Sequence, residues 1–425
     1  MPAEKNAKST RGPTLWPPAP PEFSRIALPD RLLVPLSVKS HGDAKPRPPG
    51  TKVRQGEPLA ETPAESSHVP LAPAAGTLGN IRPIRLTTGR PATAVELIPS
   101  GEAEETCEIP PKRIDDPFSL ISGLERLRAA GVWADRHVSP DLIGQLNQNI
   151  SRPIDTLICT ILDTDASLRL GAAVAARWPD RVIGGISLLA AMTSARRTIL
   201  ALESFSSPHW ISALCAAAER LHIQIVDLPN DYPQSDPVLM IYTLTHRRAR
   251  PGNLPTTHGA LVLDAPAAMA VGDASFDRPM LTVPVAVHEH VQRRSHFFLV
   301  PIGTTVEFLL KHLWIEPEDV MLRGGDLLRD LRLRPDAVIA GGELTLHITA
   351  PERPVIPEPC IRCAWCIEAC PTRVHPALIL DAAQRADPHM ANRAGIAACI
   401  ECGVCEHVCP SRLPLLKAIR DMRNA

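Results

Sequence analysis

Two copies of one cysteine pattern, C-x2-C-x2-C-x3-C-P, stand near the C-terminal end of this 425-residue sequence. The first is CIRCAWCIEACP, with Cys360, Cys363, Cys366, Cys370 and Pro371. The second is CIECGVCEHVCP, with Cys399, Cys402, Cys405, Cys409 and Pro410. Three thiols spaced two residues apart point inward from one tight loop, and the proline turns the fourth away. This is the spacing that wraps a [4Fe–4S] cluster. Zinc sites draw four ligands from paired C-x2-C arms and leave a third cysteine without a role, and disulfide frameworks suit short secreted chains.

Where this spacing occurs twice, the fourth cysteine serves the cluster of the other copy. The expected ligand sets are therefore crossed. Cys360, Cys363, Cys366 and Cys409 hold one cluster, and Cys399, Cys402, Cys405 and Cys370 hold the other. Ala364 and Trp365 stand where many such loops carry glycine, so the first cluster is expected to be the better shielded. The remaining Cys107, Cys159 and Cys215 are scattered and read as buried or free thiols without a role.

Charge and composition narrow the function further. The 45 Lys and Arg against 46 Asp and Glu leave a net charge of −1, which argues against nucleic acid or an anionic membrane surface as the main partner. The opening MPAEKNAKSTRGP has no apolar core of a secretory signal. The longest apolar stretch, residues 182–195 between Arg181 and Arg196, is too short to cross a bilayer. Reduced thiols and clusters point to the cytosol.

Residues 1–24 read as a loose tail. Residues 49–61 (PGTKVRQGEPLAE) and 69–81 (VPLAPAAGTLGNI) are strand–turn units that predict a small β sandwich of the lipoyl type. Lys52 is not at a hairpin tip, so no modified lysine is expected. Residues 156–162 (TLICTIL), 198–202 and 223–228 predict buried strands, with helices over 168–178 and 208–221, the latter opened by Ser206, Ser207 and Pro208. That alternation predicts a doubly wound α/β layer. Strands over 281–287, 297–300 and 344–349 with a helix over 304–312, capped by Thr304 or Thr305 with Glu307 in its first turn, predict a small sheet clasping one helix. Residues 351–359 (PERPVIPEP) read as a stiff linker that sets off the cluster domain. In the last helix Leu415, Ile419 and Met422 share one face and Lys417, Arg420 and Arg423, with nearby Arg412, the other. A helix packed on the clusters with a solvated basic face is favoured there over a membrane anchor.

Taken in order, these parts resemble the C subunit of the Rnf/Rsx electron-transport complexes over most of residues 28–416. The most specific matches are the cysteine block, PGTKVRQGEPLAE, APAAGTLGNI, IDTLI at 154–158, YPQ at 232–234 and IGTTVEFLL at 302–310. The resemblance implies a multidomain α/β plus β architecture. A barrel-sandwich hybrid (25–110), a Rossmann-like α/β layer resembling an FMN/NADH-binding domain (117–275), a β-grasp, SLBB-like unit (279–350) and a helical ferredoxin-like domain with two clusters (360–425) would follow one another. It also implies a peripheral place on the cytoplasmic face of the inner membrane, without direct bilayer insertion. The implied partners are membrane-embedded and iron–sulfur subunits, with a soluble ferredoxin or flavodoxin as a candidate donor.

The family's glycine-rich flavin loop is replaced here by residues 130–146 (AGVWADRHVSPDLIGQL), with Ala134, Arg136, His137 and Ser139 at the glycine positions. Backbone N–H groups reach a phosphate closely only where side chains are absent. Three further segments depart from the family: CTILDTDA at 159–166, which keeps acidity only at Asp163 and Asp165, YPQSDP at 232–237 and DAPA at 264–267. The expectation is a degenerate site, with neither FMN nor NADH bound and no NADH dehydrogenase activity by the isolated chain. Two rival readings are an NADH-oxidising flavoprotein with a rebuilt pocket, in which Arg136 and His137 grip a phosphate, and a structural adaptor whose clusters are staples.

Overall fold

The computed structural model describes residues 19–37, 44–63, 68–101, 119–163, 168–203, 208–229, 231–352 and 354–424. The tail before residue 19, Cys107, Asp165, Ser206 and Ser207 lie outside them.

Alternation builds the first unit. In Leu32–Ser37 the side chains of Leu32, Val34 and Leu36 turn inward, as a period of two requires. This strand lies beside Pro91–Pro99, which pairs with Gly76–Arg85 and through it with Lys52–Val53, all antiparallel. A short ladder of Lys45–Pro46 with Ala60–Glu61 accompanies them, and Leu59, Leu78, Val95 and Leu97 complete the core. Lys52 sits within its strand, opposite Thr77.

The second unit is a parallel sheet in the order Gln224–Leu228, Arg197–Glu203, Thr156–Thr160, Ala260–Asp264. Both faces are covered, which suits its continuous apolar runs. Ile158, Ile199, Ala201 and Val262 pack on the helix Pro237–Thr245. Leu157, Cys159, Leu200 and Leu263 face the helices Leu170–Arg177, Pro179–Thr193, Pro208–Arg220 and Ala265–Ser275. The apolar stretch at 182–195 is thus one of the covering helices. It crosses Ala265–Ser275 with the backbones in contact: a Cβ on Gly185 would lie 1.9 Å from the Ala268 carbonyl oxygen, and one on Gly272 would lie 1.9 Å from that of Arg181. Gln145 closes the sheet edge by exchanging two hydrogen bonds with the Val262 backbone, at 3.0 and 3.1 Å.

A six-stranded sheet follows, ordered Ser24–Arg25, Arg294–Pro301, Thr282–Glu289, Thr345–Thr349, Met321–Gly324, Leu331–Leu333. The helix Val306–His312 is capped by Thr305, whose hydroxyl accepts from Phe308 N. Two features differ from the sequence expectation. Ser24 is not part of a loose tail but pairs in parallel with Phe298. The linker expected over 351–359 is pinned at Glu352, Glu358 and Pro359. Glu352 binds Arg323 and Arg332, the Ser411 carbonyl accepts from Glu358 N, and the Ser411 hydroxyl donates to the Pro359 carbonyl.

Short helices complete the chain. Trp365–Glu368 and Pro376–Gln384 repeat as Val404–His407 and Leu415–Asn424. Among the described residues no helix is long and apolar enough to cross a membrane.

Candidate functional site

The cysteine loops share one backbone plan. Arg362 and Ala364 flank Cys363 with φ of 54° and 67°, and Glu401 and Gly403 flank Cys402 with φ of 54° and 77°. These left-handed residues on either side of the middle cysteine turn successive thiols to the inside of the loop. Cys370, Cys399, Cys402 and Cys405 line one small cavity, walled by Val374, Ile400, Leu416 and Ile419. The thiols that act on Cys366 are those of Cys363, Cys409 and Cys360. Cys370 of the first copy thus shares a cavity with three thiols of the second copy, and Cys409 of the second copy acts on Cys366 of the first.

The chemistry of these sites suits a cluster. Burial, reinforced by neighbouring thiols, pushes the Cys366, Cys399 and Cys405 thiols up, and Cys402 to about 11. Backbone N–H groups of Ala377, Glu401, Val404 and Glu406 point at Cys366, Cys399, Cys402 and Cys405 respectively, with Glu401 N to Cys399 Sγ at 3.3 Å. Such donors favour thiolate ligands. Among the described residues no group of three or more His, Cys, Asp or Glu side chains has the spacing for a single metal ion.

Shielding runs opposite to the sequence expectation. Cys360 and Cys363 are exposed and Cys409 is half-buried, whereas all four thiols of the second set are buried. Trp365 is 55% exposed, and Ile361 in the same loop is exposed too. The second loop is covered by the body of the protein. A Cβ on Gly403 would lie 1.8 Å from the Leu328 carbonyl oxygen, so this position needs glycine while Ala364, its counterpart, does not. Arg329 donates to the Ile400 carbonyl at 2.7 Å, and the Tyr232 hydroxyl lies 2.5 Å from the Cys402 carbonyl oxygen. The basic face of the last helix is not fully solvated either: Arg420 and Arg423 both hold Glu401.

The four segments that depart from the flavin pattern meet at one end of the parallel sheet, where Arg136, His137, Asp163, Asp236 and Asp264 are already engaged, while the buried Ser139 hydroxyl has no hydrogen-bond partner among the described residues. Arg136 is buried and grips Asp264 through Nε at 2.6 Å and Nη2 at 2.5 Å. His137 Nε2 lies 2.8 Å from Asp236 Oδ2, and its backbone N–H donates to Glu343. Ala134 and Ser139 are buried, the latter paired through its backbone with Arg136. Helix N-termini that would receive a phosphate hold the chain's own carboxylates. Asp264 accepts from Ala267 N, Asp236 from Val238 N, and Asp163 from Gly171 N. Burial works against the Asp236 charge, but His137 and Arg329 hold its carboxyl below the usual range. A phosphate at these helix N-termini would meet carboxylates that already accept from the N–H donors. Sequence reading missed Asp326 and Arg329, because neither carries a motif and, apart from each other, their partners Tyr232, Asp236 and Ile400 lie far away in the chain.

Fold and thiols together define an electron-transfer protein with a 4Fe–4S dicluster domain on a mixed α/β scaffold. Residues 144–273 match the family described as the Nuo51 FMN-binding domain, and residues 355–410 match the 4Fe-4S dicluster domain. The chain is a homologue of the C subunit of the ion-translocating oxidoreductase complexes. It is 29% identical over 371 residues to that subunit of the Pseudomonas aeruginosa complex, covering 83% of this chain and 47% of that protein. It is 24% identical over 361 residues to the C subunit of the proton-translocating ferredoxin:NAD(+) oxidoreductase complex of Clostridium ljungdahlii, covering 83% and 78%. The chain thus spans about half the length of the Pseudomonas relative. A solved NAD+-reducing [NiFe]-hydrogenase overlaps 72% of this chain and 62% of its own with a TM-score of 0.49 at 14% identity.

Proposed function

We propose that this chain is the iron–sulfur electron-transfer component of a membrane-associated, Rnf-like complex, and that it relays single electrons without a flavin of its own. Cys360, Cys363, Cys366 and Cys409 would hold one cluster and Cys399, Cys402, Cys405 and Cys370 the other. Bound [4Fe–4S] clusters supply one-electron chemistry, whereas splitting a hydride needs a flavin or its equivalent. The observation that carries the flavin-free reading is the Arg136–Asp264 pair, which puts a neutralised side-chain pair where the family's glycine loop cradles phosphate.

In this reading the exposed Cys360–Cys363 side meets an electron-transfer partner, and the buried second loop faces inward. The partners are membrane-embedded and iron–sulfur subunits on the cytoplasmic face, with a soluble ferredoxin or flavodoxin as a candidate donor. The N-terminal sheets are read as a barrel-sandwich hybrid, the 117–275 layer as a former flavin domain, and the six-stranded sheet as a β-grasp unit. Anaerobic purification tests the proposal. About eight irons and eight sulfides per chain, with no acid-released flavin, support it. Stoichiometric flavin with NADH oxidation would establish the rebuilt flavoprotein instead. Full electron transfer in the complex after loss of the cluster cysteines would establish the adaptor.

A further inference from the structure

Arg329 lies between the former flavin site and the second cysteine loop, and every face of its guanidinium is committed. Nη2 donates to Asp236 Oδ2 at 2.9 Å, Nε to Asp326 Oδ2 at 3.0 Å and Nη1 to the Ile400 carbonyl at 2.7 Å. Its own carbonyl accepts from Arg420 Nη2 at 2.7 Å. The side chain is 13% exposed, and both carboxylates are 2% exposed. Asp326 Oδ1 also lies 3.0 Å from the Tyr232 hydroxyl, whose nearer neighbour is the Cys402 carbonyl.

Among the described residues the first loop has no counterpart to this arrangement. Ile361 occupies the place that Ile400 holds in the second copy, and it is 67% exposed. A docking strut alone would require hydrogen bonds but not a buried charge, and an ammonium or amide would serve. A guanidinium fixed in a poorly solvated contact with the loop also acts on charge that develops inside it. Cluster potential responds to such local charge, to hydrogen bonding and to exposure.

We propose that Arg329 is a positioning residue for the second cluster: its charge, held between Asp236 and Asp326, stabilises the reduced state and raises the reduction potential of the site formed by Cys370, Cys399, Cys402 and Cys405. The couple takes up one electron and makes or breaks no bond. The inference rests on the ligand sets proposed above.

Redox titration of the full, cluster-loaded chain, followed by electron paramagnetic resonance, tests it. Arg329→Met lowers the second midpoint by at least a tenfold change in the oxidised-to-reduced ratio, about 59 mV for one electron. Arg329→Lys keeps most of the wild-type value. Asp236→Asn, which retains the helix cap and removes a carboxylate facing the guanidinium, moves the second midpoint upward. The first midpoint stays in place throughout. Unmoved midpoints in both neutralising variants at full iron content overturn the proposal, as do shifts of the same sign. If Arg329→Met fails to hold its second cluster, the upward shift in Asp236→Asn alone decides. A wild-type chain that never assembles two clusters would instead sink the relay reading itself.

Discussion

Arg136 and Asp264 clasp each other with two parallel hydrogen bonds at one end of the parallel sheet, at 2.6 and 2.5 Å. Asp264 simultaneously caps the helix Ala265–Ser275. A ligand phosphate and a buried carboxylate compete for the same helix N-terminus, and here the carboxylate is built in.

Breaking this pair leaves one buried charge without its partner. Asp264→Ala is expected to cost about 3–5 kcal/mol, read as a lower Tm in thermal unfolding. The double change Arg136→Met with Asp264→Leu removes both charges and is expected to recover much of that loss. A single change as mild as the double one would contradict the assignment of a buried pair.

The cysteine loops differ at one matched position. Gly403→Ala drives a Cβ against the Leu328 carbonyl oxygen, 1.8 Å away before any movement, so cluster content of the second site and Tm should both fall. Ala364→Gly relieves a left-handed alanine at φ 67° and is expected to be neutral or mildly stabilising, by up to about 1 kcal/mol. Iron analysis of the two variants side by side is the check, and equal losses would remove the docking role given to Leu328.

Crossed ligation and unequal burial make a joint prediction. Cys409→Ser should damage the site of Cys360, Cys363 and Cys366, and Cys370→Ser the other. An iron chelator should strip the exposed first site before the buried second one. Spectroscopy that assigns each serine variant to the site nearest it in sequence would reverse the ligand sets.

His68 supplies a pH dependence. It is fully buried, stacks on Trp133 with ring centroids 4.6 Å apart, and burial pushes its pKa down from 6.5 to about 4. The unfolded chain takes up this proton below about pH 6.5 and the folded chain only below about 4, so the contribution is full above the upper value and lost as pH falls towards the lower. The window is worth about 3 kcal/mol. His68→Phe should lose less Tm than wild type between pH 7 and pH 4.5; parallel losses would contradict this.

The dicluster domain was legible in the sequence because its cysteines are local: Cys360 to Cys370 and Cys399 to Cys409 each lie in one short loop. Short apolar runs likewise announced Thr156–Thr160, Arg197–Glu203 and Gln224–Leu228. The strand Ala260–Asp264 was hidden, because its apolar run is short and merges with an alanine-rich helix. Shielding could not be read at all. It depends on which loop the Leu328–Arg329 segment covers, and that contact joins residues about seventy positions apart. Arg136 and His137 were visible as departures from glycine, but their carboxylate partners emerged only from the folded chain.

The central claim is that the flavin site has been given up while the clusters remain. Calorimetric titration of FMN into the anaerobic, cluster-loaded full chain tests it most directly. The account predicts no saturable heat at micromolar FMN, with NADH likewise silent. Stoichiometric FMN binding, weakened by changing Arg136 or His137, would contradict it and make the rebuilt flavoprotein the correct reading.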